Sequence, residues 1–156
     1  MAIAEKLRKY LEVEHVDYKQ MHHPEAFVAS EIAGQQHIPG KQFAKAVVVN
    51  ADGKYLVCAL PASRLIDFDK LKKVLDAKDV RLVKEEEIGG LFPDFQRGSE
   101  PPFGNLYNLP VYSDATLEVN DEIVVNAGTH TDLIKIKWKD FVRLVKPISA
   151  DFSKPI

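Results

Sequence analysis

The sequence predicts an α+β fold, a single domain in which a mixed, mostly antiparallel curled sheet packs against helices. Two pairs of strand-like runs, 43–60 and 122–138, each have a turn sequence between them. Apolar residues at helical spacing occupy other segments, and no repeated βαβ unit is present. A length of 156 residues corresponds to one domain of ordinary size, so we expect a single unit over 1–156.

Three segments in the first half of the chain carry helix patterns. Ile3, Leu7 and Leu11 form an apolar stripe that predicts an amphipathic helix over 2–13, followed by a short strand over 18–21. His23-Pro24-Glu25 predicts the start of a second helix, because proline suits the first helical position, and this helix ends before Pro39-Gly40.

A third helix begins at Asp67, whose carboxylate can cap the free N–H groups of the first turn. Phe68, Leu71 and Leu75 give this segment an apolar side.

The first hairpin is the clearest local pattern. Strand-like runs over 43–50 and 55–60 flank Asp52-Gly53, and both central positions of such a turn favour positive φ. Contiguous apolar residues at 47–49 predict a strand that is covered on both faces. The second hairpin joins 122–126 to 133–138.

The remaining segments are shorter. We expect a strand over 80–83, one or two helical turns over 84–88 and renewed order over 109–112, then a short helix over 139–145 and an irregular tail over 146–156. No periodicity is visible over 89–108, and stretches this long without periodicity often carry function.

Composition excludes several classes of protein. The chain is 46% hydrophobic and 28% charged, which is typical of a soluble globular protein, and no apolar run is long enough to cross a bilayer. Cys58 is the only cysteine, so neither an internal disulfide nor a cysteine-based zinc site is expected, and a reducing cytoplasm fits best. A net charge of -2 argues against a general nucleic-acid binder, although 131–156 carries six basic residues against three acidic ones.

The standard catalytic motifs are missing from the sequence. It has no phosphate-binding glycine loop, no H-E-x-x-H and no G-x-S-x-G, and its five histidines show no helical i, i+4 spacing, so no metal site is expected. Three candidate functional features remain. Lys45 opens a strand, and its side chain points either to the rim of the sheet or into a cleft. The segment 98–104 is either a rigid turn or a loop that directs its amide groups at a ligand. His130 is either solvated or a hydrogen-bond donor to a ligand.

The order of several short motifs is more specific than any one of them. Taken together, they resemble the YbaK/EbsC family, which comprises free-standing trans-editing deacylases and the editing domain of bacterial prolyl-tRNA synthetases. The motifs that carry this resemblance are His23-Pro24, Lys45, Leu60-Pro61, Asp67 with Leu71, G-S-E-P-P-F-G from Gly98, L-P-V-Y-S-D ending at Asp114, and V-N-A-G-T-H ending at His130.

The resemblance implies hydrolysis of the ester in a mischarged aminoacyl-tRNA, with no metal or cofactor. It implies that Lys45, Gly98 and His130 are catalytic, with Lys45 holding either the phosphate of the terminal adenosine or the substrate carbonyl. The residues implied to bind substrate are His23, Ala46, Ser99, Glu100, Pro101, Pro102, Phe103, Gly104, Asp114 and Gly128. Several family members have a polar residue where this chain has Ala46, so the amino acid is left open among Ala, Ser, Thr and Cys.

The implied chemistry is physically reasonable. A synthetase pocket separates side chains that differ by one methylene by only about 1–3 kcal/mol, so small wrong amino acids need a second check. A positioned water and a polarised carbonyl suffice for an activated ester.

The expected partner is the acceptor end of mischarged tRNA, with neither DNA nor a membrane. Whether the chain acts alone or beside an aminoacyl-tRNA synthetase stays open. The candidate contacts to the acceptor stem are Lys135, Lys137, Lys139 and Arg143.

Two alternatives remain at this point. One is a non-catalytic protein that uses the same fold to bind tRNA or a small ligand, and the other is a hydrolase for a different small aminoacyl ester or amide.

Overall fold

The computed structural model describes residues 4–22 and 38–156. In this part of the chain the α-helices are α1 (Glu5–Val13), α2 (Phe68–Leu75), α3 (Glu85–Leu91) and α4 (Trp138–Val145), with 3₁₀ turns at Gly104–Tyr107 and Ala115–Val119. The strands are β1 (Tyr18–His22), β2 (Ala44–Ala51), β3 (Lys54–Pro61), β4 (Arg64–Ile66), β5 (Val80–Leu82), β6 (Val111–Asp114), β7 (Glu122–Asn126), β8 (Asp132–Lys137), β9 (Ile148–Ala150) and β10 (Ser153–Pro155).

The described strands form three sheets. The five-stranded sheet has the order β5-β2-β3-β6-β9, the three-stranded sheet has the order β1-β8-β7, and β10 pairs with β4. β6 runs parallel to β3 and β9, and the other paired strands are antiparallel. A bridge between Phe43 and Val124 links the two larger sheets. The α+β class with a mixed sheet is therefore confirmed.

The β2–β3 hairpin forms as its turn sequence predicts. Asp52 and Gly53 have φ values of 50° and 89°, and the Gly53 N–H donates to Asn50 Oδ1 at 2.9 Å. Val48 lies in the main hydrophobic core, whereas Val49 lies in a second core on the other face of the sheet. The predicted burial of this strand on both faces is confirmed.

Two segments differ from the sequence prediction by more than small shifts of their ends. α3 extends to Leu91 through Gly89 and Gly90 instead of ending near 88. The prediction of an irregular tail is wrong, because β9 pairs with β6 and β10 pairs with β4. Both strands are three residues long, too short to show a pattern, and their pairing partners are distant in sequence. The helix predicted from His23 lies outside the described residues.

The cap of α2 gives a stability test of the fold. Asp67 Oδ1 accepts the N–H groups of Asp69 and Lys70 at 3.1 and 3.2 Å. We expect Asp67→Ala to lower the free energy of unfolding by about 1 kcal/mol, because two N–H groups lose their acceptor. Asp67→Asn keeps an acceptor oxygen and should stay within a few tenths of a kcal/mol of the parent. Urea denaturation measures both, and an equal loss in the two variants would contradict the capping role.

Candidate functional site

A cleft of about 280 Å³ opens between the start of β2, the end of β7 and the loop that follows α3. Strand β2 supplies one wall, because the antiparallel register with β3 sets its first residues at this edge of the sheet. The polar and charged residues that line the cleft are Lys45, Glu85, Arg97, Glu100 and Asn126, and the apolar ones are Ala46, Val47, Val48, Leu82, Val83 and Ile88, with Gly98 at the loop.

Lys45 is the half-buried cation of this cleft. It lies opposite Leu60 in the hairpin and forms no ion pair with any described residue. Burial lowers the pKa of the Lys45 ammonium, because partial desolvation disfavours the charged form. A half-buried ammonium without a carboxylate is a ready partner for an anion or a carbonyl oxygen.

A second, mostly apolar cleft adjoins the first. Its apolar lining residues are Val47, Leu65, Ile66, Phe68 and Leu82. Lys154 stands at this cleft, and Lys45 lines both clefts. Leu65 and Leu82 are 45% and 55% exposed, so apolar surface faces solvent here. Lys45 therefore stands where a polar cleft meets an apolar one.

The loop of Gly98, Ser99 and Glu100 satisfies most of its own polar groups. The Gly98 N–H donates to Glu100 Oε1 at 3.0 Å, and the Ser99 N–H donates to Gln96 O at 3.1 Å. Gly98 has a φ of 83°, a value that glycine adopts without strain. The sequence left open whether these amides face a ligand. In this structure the N–H groups of Gly98 and Ser99 donate hydrogen bonds to acceptors within the loop.

Glu100 places a nearly buried carboxylate in the cleft, since the residue is 7% exposed. Burial raises the pKa of the Glu100 carboxyl, although the Gly98 and Glu100 amides and the charge of His130 oppose this shift. Within the described chain no lysine or arginine forms an ion pair with Glu100. A buried carboxylate in a cleft is a typical feature of a functional site.

Asn126 is a cleft residue that sequence reasoning did not select. It lies at the end of β7 and is 6% exposed, and its Oδ1 has no hydrogen-bond donor among the described residues. A buried acceptor without a donor requires an explanation such as a water or a ligand. The sequence did contain a hint, because Asn126 belongs to the V-N-A-G-T-H motif that ends at His130.

His130 and Gly128 support the loop from behind. His130 Nε2–H donates to Arg97 O at 2.5 Å, and the His130 N–H donates to Gln96 Oε1 at 2.6 Å. The Gly128 N–H donates to Ser99 O at 3.0 Å. A Cβ at Gly128, where φ is 88°, would lie 2.5 Å from the Ala4 Cβ, so glycine permits this close packing. The two residues hold the segment 96–99 and are not among the described residues that line the cleft.

Several other residues implied by the resemblance serve the core instead of the cleft wall. Phe103 is fully buried and meets Phe141 edge to face, with ring centroids 5.5 Å apart. A Cβ at Gly104 would lie 2.9 Å from Leu109 O, so the chain passes too closely for a side chain. Also buried in this loop are Ser99, Pro101 and Pro102. His23 lies outside the described residues.

Asp114 has a structural role in the described chain. It accepts hydrogen bonds from the Thr116 hydroxyl and amide and from the Phe152 N–H at 3.0 Å, and so ties the tail to β6. Burial alone would raise the pKa of the Asp114 carboxyl, but these hydrogen bonds together lower it. The predicted substrate contact at Asp114 is therefore not part of the described cleft.

The basic residues selected for the acceptor stem do not form a purely basic surface. Lys137 and Lys139 line a shallow cleft that also carries carboxylates, at Glu118, Asp121 and Glu122. Arg143 pairs with Asp140 at 3.7 Å. Lys135 lies half-buried in the middle of the three-stranded sheet.

Other chemistry finds little support in the described residues. Cys58 is fully buried, and desolvation raises the pKa of its thiol to about 12, which makes it a poor nucleophile. No group of three histidine, cysteine or carboxylate side chains in residues 4–22 and 38–156 could hold a metal ion. Within the same ranges, no helix has the length and apolar character needed to span a membrane.

The desolvation of Lys45 has a measurable consequence. We expect its ammonium to lose its proton at lower pH than a lysine side chain that is free in water, because no described carboxylate offsets the cost of burial. NMR titration of the lysine side chains, with Lys45 assigned from the spectrum of Lys45→Arg, measures this shift. Titration of Lys45 at or above the pH at which a free lysine side chain titrates would contradict the assigned environment.

Several known proteins are similar to this chain in sequence or in fold. Proline--tRNA ligase of Leptospira biflexa serovar Patoc is 31% identical over 103 residues, which are 65% of this chain and 17% of the ligase. The chain thus spans about a sixth of that relative.

Among solved structures, a candidate trans-editing enzyme for prolyl tRNA synthetase superposes with a TM-score of 0.82 at 24% identity, over 97% of this chain and 96% of the other. The hypothetical protein APE2540 superposes with a TM-score of 0.86 at 17% identity, over 96% of this chain and 100% of the other. At these identities the two structures establish the fold alone. The family model for the aminoacyl-tRNA editing domain matches residues 23–144, and the chain therefore belongs to the aminoacyl-tRNA editing domain family.

Proposed function

We propose that this protein hydrolyses the ester bond of mischarged aminoacyl-tRNA that carries a small amino acid, using a positioned water and no metal. The observation that carries the proposal is the position of Lys45, an unpaired ammonium in the described chain where a polar cleft meets an apolar one. The substrate likewise has two parts of different polarity, because its ester joins a polar aminoacyl group to a nucleoside. Membership of the editing family supports the same substrate class.

The aminoacyl group is assigned to the polar cleft. A volume of about 280 Å³ is at the small end for ligand sites, so it suits an aminoacyl group better than a whole nucleotide. Ala46 and Val48 give the cleft short apolar walls on β2. A small side chain such as that of Ala, Ser, Thr or Cys fits against them, and the choice among these four stays open.

The terminal adenosine is assigned to the apolar cleft. Its base can lie against Phe68, Leu65 and Leu82, and its phosphate can meet the ammonium of Lys154 at the same cleft. This assignment leaves Lys45 beside the ester carbonyl. Lys45 then stabilises the negative charge that develops on the carbonyl oxygen in the transition state.

The reaction is an ordinary ester hydrolysis. The oxygen of water attacks the carbonyl carbon, and the bond between that carbon and the ribose oxygen breaks. The ribose oxygen takes up a proton and becomes a free hydroxyl, and the amino acid leaves as a carboxylate with net release of one proton. The protein contributes by orienting the ester and by stabilising the charge that develops on its carbonyl oxygen. The loop held by His130 and Gly128 fixes one wall of the cleft in which the ester is oriented.

The test is a deacylation screen with tRNAs that carry Ala, Ser, Thr or Cys. We expect one or more of these amino acids to be released, and we expect Lys45→Ala to lower kcat/KM by at least about 100-fold, as for loss of one transition-state donor. Lys41→Ala, an exposed lysine near the start of β2, is the matched control and should keep full activity.

Each outcome of the screen tests a different part of the proposal. Undiminished turnover by folded Lys45→Ala would overturn the role of Lys45. Loss of activity with EDTA would overturn the metal-free mechanism. Binding of tRNA without release of any amino acid would favour the non-catalytic alternative, and no release with no binding would favour a different ester or amide.

The apolar cleft is tested separately through Lys154. Lys154→Ala should raise KM roughly fivefold at low salt with little change in kcat, as for loss of one screened phosphate contact worth about 1 kcal/mol. The slope of log kcat/KM against log salt should become less negative by about one. Lys54→Ala removes an exposed lysine from β3 and should leave both quantities unchanged. Equal effects of the two variants would contradict a specific contact at Lys154.

A further inference from the structure

Helix α3 contributes to the lining of the polar cleft, but its own sequence favours a helix only weakly. It is seven residues long, and none of its residues is buried. Gly89 and Gly90 lie inside it, and glycine is an unfavourable residue in a helix. Because a helix this short is marginal in water, contacts with the rest of the fold must fix the position of α3.

A row of residues across the five-stranded sheet supplies one such contact. The strand register pairs Arg81 of β5 with Asn50 of β2, and it pairs Asn50 with Tyr55 of β3. Directly paired residues point to the same face of a sheet, so the Arg81 and Tyr55 side chains lie on one face. The register of the β2–β3 hairpin thus brings a guanidinium and a phenol to the same side of the sheet.

Glu87 of α3 bonds to both of these groups. Arg81 Nη1 donates to Glu87 Oε1 at 3.1 Å and Arg81 Nη2 donates to Oε2 at 3.3 Å, while the Tyr55 hydroxyl donates to Oε2 at 2.6 Å. We call these three hydrogen bonds the α3 clamp. A single exposed ion pair contributes little, but a two-point contact between guanidinium and carboxylate is among the stronger polar contacts. The Glu87 side chain is only 28% exposed.

The charge of the α3 clamp persists at neutral pH. The hydrogen bonds from Arg81, and after them the one from Tyr55, lower the pKa of the Glu87 carboxyl to about 2. The carboxylate is therefore ionised, and the clamp is intact, under the conditions of an ordinary assay at neutral pH.

The α3 clamp reaches the cleft through Ile88, the residue that follows Glu87. Ile88 lines the cleft and packs, partly buried, against the main hydrophobic core. The other apolar residues of the lining belong to β2, or are bonded to it through β5 and the Val83 N–H: Ala46, Val47, Val48, Leu82 and Val83. Ile88 is thus the apolar part of the described lining whose position depends on α3.

We propose that Glu87 is a positioning residue, which holds α3 against the sheet so that Ile88 stays in the cleft wall and limits the size of the amino acid side chain. This proposal rests on the proposed function. A cleft of about 280 Å³ has room for a small aminoacyl group, whereas the branched side chain of valine or leucine needs space that Ile88 occupies. Steric exclusion requires a wall that does not retreat, so selectivity depends on a contact outside the cleft.

The experiment compares the small aminoacyl-tRNA that the wild-type protein hydrolyses fastest with tRNA charged with valine or leucine. The wild-type protein should prefer the small ester at least about 100-fold in kcat/KM. Glu87→Ala removes the α3 clamp and should lower this preference at least about tenfold, because the larger esters react faster. Ile88→Ala enlarges the cleft directly and should lower the preference in the same way. Glu86→Gln, at an exposed position of α3 outside the clamp, should retain the full preference.

A reciprocal exchange separates positioning from general damage to the fold. Glu87→Arg alone sets two guanidinium groups against each other and should lower the preference. Glu87→Arg combined with Arg81→Glu restores opposite charges at the two positions and should recover most of it. A merely structural role would slow the small and large esters by the same factor and leave the preference unchanged in all of these variants.

Hydrogen exchange tests the α3 clamp without any substrate. The Ile88 N–H donates to Lys84 O at 3.0 Å, and the Phe92 N–H donates to Ile88 O at 2.8 Å. Both amides should exchange at least about tenfold faster in Glu87→Ala, because α3 opens more often, and at the wild-type rate in Glu86→Gln. The Val57 N–H, which donates to Pro110 O in the core, should stay protected and so report that the variant is folded.

The failures of the two proposals are distinguishable. Failure of the wild-type protein to release any small amino acid would overturn the proposed function. Release of a small amino acid with an undiminished preference in folded Glu87→Ala, or unchanged exchange of the Ile88 and Phe92 amides in this variant, would overturn the role of Glu87 alone. An undiminished preference in folded Ile88→Ala would overturn the size limit assigned to Ile88.

Discussion

The register of the β2–β3 hairpin is the constraint on which the site depends. The Asp52-Gly53 turn sets Lys45 opposite Leu60 and Ala46 opposite Ala59. Because side chains alternate along a strand, a slip of one residue would exchange the faces that Lys45 and Ala46 occupy. The two hydrophobic cores oppose such a slip, since Val48 and Val49 lie on opposite faces of the strand. A local turn and ordinary packing thus fix a charged side chain at the edge of a cleft.

Backbone hydrogen bonds tie the second wall of the cleft to the segment that follows β7. Gln96, Arg97 and Ser99 all have backbone groups bonded to the segment around Gly128 and His130. This arrangement fixes a short irregular loop without the support of a strand or a long helix. It also places Glu100 in the cleft that Lys45 lines, so the cleft carries both negative and positive side chains. A substrate with two charged parts can be oriented by such a cleft before any bond breaks.

Local features of the fold could be predicted from the sequence, and long-range ones could not. The Asp52-Gly53 turn and the Asp67 cap depend on neighbouring residues, and both form as expected. The strands of the tail were missed because β9 and β10 pair with partners far away in sequence. The resemblance selected Lys45 and Glu100, but Asn126 and the apolar cleft become visible only when separate segments come together. For the same reason, the sequence could not show that Asp114 and Gly104 hold the core.

Locating the bound aminoacyl nucleoside tests the assignment of the site most directly. NMR shift mapping with 3′-alanylamido-3′-deoxyadenosine reports which backbone amides respond to the bound aminoacyl nucleoside. We expect the largest changes at Lys45, Ala46, Glu100 and Asn126, with further changes at Leu82 in the apolar cleft. Changes centred on Lys137 and Lys139, or none at saturating probe, would contradict the assignment of the site.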